Sequence, residues 1–401
     1  MSHIGEFELI ERISARFFQE PAPCHPDPGS CHPERSEGSS IIGIGDDCAV
    51  MPQRDGIDTL VTTDLLIEDR HFLLSDVSPE QLGWKSAAVN ISDIAAMGGK
   101  PTAGFLSIAL PKNMTPSTKG AENVDGGAET DVPSTKGAEN VDGTVEWIER
   151  FISGFRELST RFGVPLLGGD TSASPDKLFI NVTVLGECPH GHAVLRSGAR
   201  PGDLLCVTGP LGDSAGGLRL VLERAGGSTD DVSAPAQTLI SRHYMPMPRV
   251  DEGRMLAADS GVHAMMDISD GIASDLRHIL KASGAAMSAA GHSSEASGEA
   301  EPGRNSVSAP ALAAEVDLRK LPLSSELLQV CAERGWDAAE LAVSGGEDYE
   351  LLCAVAPEAL GRLRQALDGR LFVIGCFVAA ETEGIRWIGG ERCDYQGFTH
   401  F

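Results

Sequence analysis

The sequence predicts a mixed α/β (α+β) protein built from two domains. At 401 residues the chain is long enough to form two substantial hydrophobic cores. Strand-like runs such as 59–64 occur along the chain together with segments that carry apolar residues at helical spacing, such as 145–162. The character of the sequence changes around 188–192. We therefore expect an N-terminal domain of residues 1–188 and a C-terminal domain of residues 189–401.

Composition and charge argue against several classes of function. A formal net charge of -26 disfavours nucleic acid or an anionic membrane as a partner. The nine cysteines are scattered without a C-x-x-C pair, which is typical of a reduced cytoplasm. The first residues form a charged, helix-like segment rather than a signal peptide, and no run approaches the roughly 20 apolar residues of a membrane span. The expected protein is soluble and cytoplasmic.

In the N-terminal half, cap and turn signals separate the predicted elements. Ser78 is a good N-cap, Pro79 suits the first turn and Gln81 completes a capping box, so a helix should begin there. This helix should end at Met97, before Gly98-Gly99. The other predicted elements are helices at 6–18 and 145–162 and strands at 59–64, 102–110, 165–171 and 179–185.

Three segments lack apolar periodicity and are predicted to be disordered insertions, at about 21–40, 112–143 and 289–310. The second contains the sequence PSTKGAENVDG twice, at 116–126 and 133–143. A single duplication with almost no apolar content does not make a solenoid, which needs at least about three apolar repeats. We expect all three segments to lie outside the core.

In the C-terminal half, glycine turns lead into acidic residues. A strand at 204–208 enters the glycine-rich turn 209–217, which precedes a helix and could cradle phosphate through backbone amides. The Lys-Ser/Thr pair of the Walker pattern is missing there. Residues 266–271 form a strand end with two carboxylates, and 344–351 form a glycine turn before acids and a strand.

Short β-rich runs that end in aspartate recur along the chain. The aspartates are Asp47, Asp64, Asp170, Asp267 and Asp270, with Asp93 added from a helix. Six carboxylates in one cleft would repel each other unless several divalent cations were bound. Oxygen ligands with few nearby His or Cys residues favour Mg²⁺, the usual partner of nucleoside triphosphates. The residues thus suggest a Mg²⁺-dependent enzyme acting on a polyphosphate without a P-loop. A calcium-stabilised binding protein is the non-enzymatic alternative.

Seven motifs follow one another in order: GIGDDCAV, VTTDLLIEDRHF, KSAAVNISDIAAMGGKP, LLGGDTS, RSGARPGDLLCVTGPLGDSAGGL, MDISDGIASDLRHI and SGGEDYELL. Together they resemble the thiamine-monophosphate kinase family, within the superfamily of aminoimidazole ribonucleotide synthetase and selenophosphate synthetase. The resemblance covers nearly all of the chain except the insertions. It implies that ATP phosphorylates thiamine monophosphate directly to thiamine diphosphate, without a phosphoenzyme, in the last step of thiamine diphosphate biosynthesis.

The same resemblance implies a fold and a set of site residues. The fold would be the two-domain synthetase-superfamily fold, with an N-terminal ATP- and Mg-binding domain that forms a β-barrel-like interface in a homodimer. Several Mg²⁺ ions would be held by Asp47, Thr62, Thr63, Asp64, Asp93, Asp170, Asp267 and Asp270, of which Asp47, Asp93 and Asp270 are the expected catalytic residues. ATP, as co-substrate, would contact Gly169, Asp170, Arg196 and Ser269. Thiamine monophosphate would contact His71, Glu347 and Phe398.

These residue types suit the implied chemistry. Arg196 is a fixed charge for phosphate, Glu347 can answer a cationic ring, and Phe398 offers an aromatic face for stacking. Two alternatives remain at this stage: a sister enzyme making aminoimidazole ribonucleotide or selenophosphate, and a non-catalytic nucleotide- or metal-binding regulator. Cys24 and Cys31 lie in a proline-rich insertion, which disfavours selenophosphate synthesis. A regulator would be expected to have lost some of the carboxylates, and none is missing.

Overall fold

The computed structural model describes residues 46–52, 56–111, 138–225, 232–295, 311–390 and 395–397. The predicted helix at 6–18, the insertion at 21–40 and most of the other two insertions lie outside these residues.

The N-terminal half contains a five-stranded sheet with the order β1-β2-β5-β3-β4. Its strands are β1 (Ala49–Pro52), β2 (Ile57–Ile67), β3 (Lys100–Pro111), β4 (Leu166–Ser174) and β5 (Phe179–Pro189). All neighbours are antiparallel except β3 and β4, which are parallel. Within the described residues this sheet is open, with β1 and β4 at its edges, so it does not close into a barrel within one chain.

Two helices, α1 (Pro79–Ala96) and α2 (Ala138–Phe162), pack against each other. The predicted capping box of α1 is present, because the Ser78 side chain accepts from Gln81 N and the Gln81 side chain accepts from Ser78 N. Close packing depends on glycine, since a Cβ added at Gly83 would lie 1.9 Å from Phe151 O. A Cβ at Gly154 would lie 1.9 Å from Glu80 O, so neither helix tolerates a side chain there.

The C-terminal half contains a six-stranded sheet with the order β11-β8-β10-β6-β9-β7. Its strands are β6 (Leu204–Val207), β7 (Val262–Asp267), β8 (Ala311–Asp317), β9 (Leu351–Val355), β10 (Phe372–Ala380) and β11 (Gly384–Ile388). The helices of this half are α3 (Asp213–Ala225), α4 (Ala234–Tyr244), α5 (Val250–Ala257), α6 (Ile272–Glu295), α7 (Ser325–Arg334), α8 (Ala338–Ser344) and α9 (Leu360–Ala366). A 3₁₀ turn, Leu318–Lys320, follows β8.

Two predicted insertions begin or end inside helices, so their predicted bounds were wrong. Helix α2 already starts at Ala138, within the second copy of the duplicated sequence. Helix α6 extends to Glu295, seven residues into the segment 289–310. Once a helix is nucleated, each further residue that joins it gains a hydrogen bond, so a helix can extend into a flanking segment that contains Ala and Glu.

The largest hydrophobic core joins the two halves of the chain. It contains Ile91 and Leu158 from the N-terminal half together with Leu220, Leu239 and Leu327 from α3, α4 and α7. Helix α1 also packs against β2 of the first sheet and β7 of the second. This central position brings residues from both halves to one place. Among the described residues, no helix is long and apolar enough to cross a membrane.

Candidate active site

Three aspartates from distant parts of the chain meet beside helix α1. Asp47 lies just before β1, Asp93 lies in the last turn of α1, and Asp267 is the last residue of β7. One carboxylate oxygen from each residue lies within 4.8 Å of the others. These three residues form the carboxylate cluster. Among the described residues it is the one group of His, Cys, Asp and Glu side chains placed closely enough to hold a metal ion.

Hydroxyl groups and one arginine orient the carboxylate cluster. The Thr62 hydroxyl donates to Asp93 Oδ2, and the Ser92 hydroxyl donates to Asp267 Oδ2 at 2.5 Å. Arg196 donates to both oxygens of Asp47, at 2.8 Å and 3.4 Å. The backbone N–H of Arg196 also donates to Asp46 at 2.6 Å, which fixes the arginine to the GDD turn. Each cluster carboxylate is thus held by a partner of its own.

The electrostatics of the cluster favour a bound cation. Burial, followed by the charges of Asp64, Asp267 and Asp47, raises the pKa of Asp93 well above its ordinary value. Burial and the charge of Asp47 raise the pKa of Asp267 to about 8. One arginine cannot compensate three carboxylates that lie this close together in a partly buried site, whereas a divalent cation bound by their oxygens can. The donor set therefore fits Mg²⁺.

Two further predicted acids lie near the carboxylate cluster. Asp64 is two residues beyond Thr62 on β2, so both side chains point to the same face, and its charge raises the pKa of Asp93. Asp270 follows β7, and its backbone N–H donates to Asp275 Oδ2 at 3.3 Å. Burial and the charge of Asp270 raise the pKa of Asp275 well above its ordinary value. Sequence reasoning did not assign a role to Asp275, which sits in the first turn of α6.

The structure separates the Thr63 and Asp170 side chains from the cluster. Thr63 lies on the exposed face of the sheet, opposite to Thr62, and its hydroxyl is 2.9 Å from the Thr183 hydroxyl. Asp170 lies on the edge strand β4, is exposed, and accepts from the Thr171 N–H at 2.9 Å. Of the six carboxylates expected to converge, Asp170 therefore lies apart from the others within one chain. Alternation along β2 turns Thr63 away from the cluster, because neighbours on a strand point to opposite faces. Asp170 is separated for another reason, since it lies on β4 at the edge of the sheet.

Gly169 is required by the backbone of β4. Its φ is +151°, and a Cβ there would lie 1.7 Å from Leu106 O on the neighbouring strand. This close approach explains the glycine without reference to a ligand.

A second polar group surrounds Glu347, which pairs with Lys85, eight residues before Asp93 on α1. Lys85 Nζ lies 2.9 Å from each carboxylate oxygen of Glu347, and His243 Nδ1 lies 3.3 Å from Oε2. The Ser269 carbonyl accepts from the Glu347 N–H at 2.8 Å, which connects this loop to the turn after β7. Sequence reasoning missed Lys85 and His243. A lysine inside an apolar helix was the available signal, because a buried charge needs a partner.

His71 and Phe398 complete the predicted acceptor residues. His71 follows β2, and its Nδ1 accepts from the Ile67 N–H at 2.9 Å, so the neutral ring carries its proton on Nε2. Phe398 lies outside the described residues.

Comparison with known proteins places the chain among related sequences and structures. Residues 45–188 match the family described as AIR synthase related protein, N-terminal domain, and residues 200–301 match the corresponding C-terminal domain. The chain is 34% identical to thiamine-monophosphate kinase of Bacillus subtilis, over 90% of this chain and 87% of the relative. It is 33% identical to thiamine-monophosphate kinase of Escherichia coli K12, over 99% of this chain and 98% of the relative.

One similar solved structure contains bound ligands. It is described as AaThiL complexed with AMPPCP and TMP, and it superimposes with a TM-score of 0.72 at 29% identity. The match covers 100% of this chain and 98% of that one.

Proposed function

The chain belongs to the thiamine-monophosphate kinase family, and we propose that it transfers the γ-phosphoryl group of ATP to thiamine monophosphate. The products are thiamine diphosphate and ADP. The observation that carries this proposal is the partly buried cluster of Asp47, Asp93 and Asp267 with Arg196 beside it. A relative of the same fold is described in complex with AMPPCP, an analogue of ATP, and TMP.

The reaction needs no general base. A phosphate monoester has a second pKa of about 6, so its terminal oxygens are ionised at neutral pH and are already nucleophiles. One of these oxygens forms a bond to the γ-phosphorus of ATP, while the bond from that phosphorus to the β–γ bridging oxygen breaks. ADP leaves with the electron pair. Catalysis then consists of positioning and of stabilising negative charge, which is what the groups of this site provide.

Asp47, Asp93 and Asp267 would hold Mg²⁺, with Asp64 and Asp270 near them. Bound Mg²⁺ neutralises charge on phosphate oxygens. Thr62 and Ser92 orient two of the carboxylates by hydrogen bonds, and Ser269 lies on the turn that links the cluster to Glu347. The proposed metal site does not include the Thr63 side chain, because the Thr63 hydroxyl pairs with the Thr183 hydroxyl on the exposed face of the sheet.

Arg196 would bind a phosphate of ATP through its planar guanidinium, which matches phosphate geometry with two parallel hydrogen bonds. Its side chain now pairs with Asp47, so it lies at the edge of the carboxylate cluster. Gly169 and Asp170 on β4 remain proposed ATP contacts by family membership alone.

His71 and Glu347 would contact the acceptor. The Nε2–H of His71 is a hydrogen-bond donor suited to a phosphate oxygen. The Glu347 carboxylate can accept a hydrogen bond from another part of the substrate. Phe398 stays a proposed stacking residue.

The N-terminal sheet supports the proposal of a homodimer with a barrel-like interface. Its outer face exposes Leu65 on β2 and Phe105 on β3, which are 47% and 37% accessible. Leu167 on the edge strand β4 is 63% accessible. Exposed apolar side chains on one sheet face are typical of an interface. Light scattering should give twice the chain mass, and Leu65→Arg should halve it, with Leu222→Arg on α3, also exposed, as the control.

We also propose the domain division at residues 188 and 189 and a cytoplasmic location. The six described cysteines are free thiols, as expected in a reducing compartment.

An assay of ADP release tests the function. With Mg-ATP, thiamine monophosphate should support turnover, and unphosphorylated thiamine should be a poor acceptor because it lacks the nucleophilic phosphate oxygen. Asp93→Asn should be inactive in the same assay. ATP consumption only with formylglycinamidine ribonucleotide or only with selenide would assign a sister activity, and binding of ATP without any turnover would indicate a regulator.

A further inference from the structure

Lys85 is a buried cation whose position in helix α1 needs an explanation. Its side chain has no exposed surface, although it lies in a segment rich in Ala, Val and Ile. Its Nζ lies 2.9 Å from both oxygens of Glu347, which is 262 residues away in the sequence. Burying a lysine is costly unless it is paired, so the Glu347 carboxylate is what makes Lys85 acceptable in the core.

The backbone around Glu347 is fixed as firmly as the side chain. Glu347 has a φ of 63°, a left-handed conformation that is uncommon for residues other than glycine. The next residue, Asp348, holds this loop by accepting from Gly212 N at 2.6 Å and from Ser214 N at 3.2 Å. A strained loop that is tied down on both sides is typical of a site that must present one group accurately.

His243 completes the surroundings of the carboxylate. Its Nδ1 lies 2.9 Å from the Ser214 hydroxyl and 3.3 Å from Glu347 Oε2. Burial, together with the charge of Lys85, lowers the pKa of His243 to about 3, so the ring is neutral at physiological pH. Burial alone would raise the pKa of Glu347, but the charge of Lys85 and its hydrogen bond outweigh burial and hold that pKa below its ordinary value.

The charges of this group therefore sum to about zero, because an ionised Glu347 faces one ammonium and one neutral ring. The Glu347 side chain is 24% accessible, whereas that of Lys85 is 0% accessible. A ligand can reach the carboxylate on its open side but cannot reach the lysine. A carboxylate has about four lone-pair sites, so it can accept one more hydrogen bond after Lys85 is bound.

We propose that Lys85 is a positioning residue that fixes the Glu347 side chain and neutralises its charge. Glu347 then binds thiamine monophosphate by accepting a hydrogen bond from it, and not by acting as a counter-ion for its positive ring. This inference rests on the proposed function. The aminopyrimidine ring of thiamine carries an exocyclic amine whose N–H can donate to Glu347. The positive thiazolium ring, by contrast, would gain little from a carboxylate that is already paired.

Binding of two acceptors by calorimetry separates the two modes of recognition. Thiamine monophosphate is compared with the analogue in which the exocyclic amine is replaced by oxygen, since both carry the same thiazolium charge. The wild-type protein should prefer thiamine monophosphate by about tenfold or more, the size of one hydrogen bond to a charged group. Equal affinity for the two acceptors would overturn the proposal.

Variants of Lys85 give the second arm. Lys85→Met makes the site more negative. If Glu347 acted as a counter-ion, this variant would bind the cationic thiamine monophosphate more tightly. We expect the reverse: about tenfold weaker binding, loss of most of the preference for the amine, a raised KM for the acceptor and an unchanged KM for ATP. Lys85→Arg should restore much of the affinity. Lys320→Met, at an exposed lysine, is the matched control and should leave the affinity for both compounds unchanged.

Folding and function are controlled separately. Thermal unfolding reports whether Lys85→Met is folded, and Glu347→Gln should abolish the preference for the amine in a chain that retains Lys85. Tighter binding of thiamine monophosphate by Lys85→Met would refute the inference. If the wild-type protein turns over thiamine monophosphate but does not discriminate the analogue, the inference alone fails. If it neither binds nor phosphorylates thiamine monophosphate, the proposed function fails with it.

Discussion

Replacing Asp93 by asparagine should stabilise the metal-free protein while removing its activity. The oxygens of Asp47, Asp93 and Asp267 lie within 4.8 Å of one another. Two unit charges at about that distance repel by roughly 3.5 kcal/mol at an effective dielectric constant of 20. Asp93→Asn removes two such pairs, but the raised pKa of Asp93 shows that protonation already relieves part of the repulsion. We expect a net gain of roughly 1–3 kcal/mol in the free energy of unfolding.

The opposite effect is expected once Mg²⁺ is present. A cation that binds only the folded state stabilises it in proportion to the logarithm of its concentration above Kd. Asp93→Asn weakens this binding, so the stabilisation by Mg²⁺ should shrink, and turnover should fall by roughly 10²-fold or more. The Thr62 hydroxyl can still donate to the amide oxygen, so the local fold is preserved.

Urea denaturation with EDTA and with excess Mg²⁺ measures both effects on the same variant. Asp213→Asn is the matched control, because this buried carboxylate accepts from the Ser324 hydroxyl and from Arg242, both at 2.5 Å. It should lose stability in EDTA, since one partner of a satisfied ion pair is removed. An Asp93→Asn protein that is less stable than wild type in EDTA, or that keeps a near wild-type rate, would show that the three carboxylates do not act as a cation site.

Three further changes test other parts of the site. Arg196→Lys should lower kcat/KM for ATP by roughly 10- to 100-fold, because lysine cannot form the two-pronged contact, while far-ultraviolet circular dichroism stays unchanged. Gly169→Ala should cost roughly 3 kcal/mol or more in urea denaturation, whereas Gly168→Ala, whose Cβ would meet only the Phe105 ring at 3.5 Å, should cost much less. Between pH 7.5 and pH 5 the wild-type protein should lose about 2 kcal/mol more stability than His243→Gln, and equal losses would contradict a neutral His243.

The sign of the last prediction follows from proton binding. The pKa of His243 is about 3 in the folded protein and about 6.5 when unfolded, so the unfolded chain binds more protons between these values. Stability from the buried neutral ring is fully present above pH 6.5 and is lost as pH falls toward 3. The glutamine variant cannot take up this proton, so the difference between the two pH profiles isolates His243.

Local signals predicted much of the secondary structure. The cap residues before α1 and the glycines after it gave both ends of that helix to within a residue, because capping depends on side chains within one turn. The start of α2 was predicted too late, at Val145 rather than Ala138. Helix propagation into a weakly helical repeat depends on the stable helix that follows, and this is not visible in the repeat itself.

Long-range pairing limited the prediction of the site. The recurrence of aspartates at strand ends, with Asp93 on a helix, identified Asp47, Asp93 and Asp267 as candidates, and the structure brings them together. The sequence could not reveal that Asp170 lies on an exposed edge strand, because the order of strands in a sheet depends on long-range pairing. The pairing of Lys85 with Glu347 spans 262 residues and was equally invisible.

Helix α1 explains why residues so far apart can serve one reaction. It carries Asp93 toward the carboxylate cluster and Lys85 toward Glu347, and eight residues of α-helix span about 12 Å. In the proposed function, Asp93 would help to bind a cation, and Lys85 would hold Glu347 against the ring of the substrate. Because α1 packs tightly on α2 through Gly83 and Gly154, it cannot shift without breaking backbone contacts. The core therefore fixes the distance between Asp93 and Lys85, because both lie on the same packed helix.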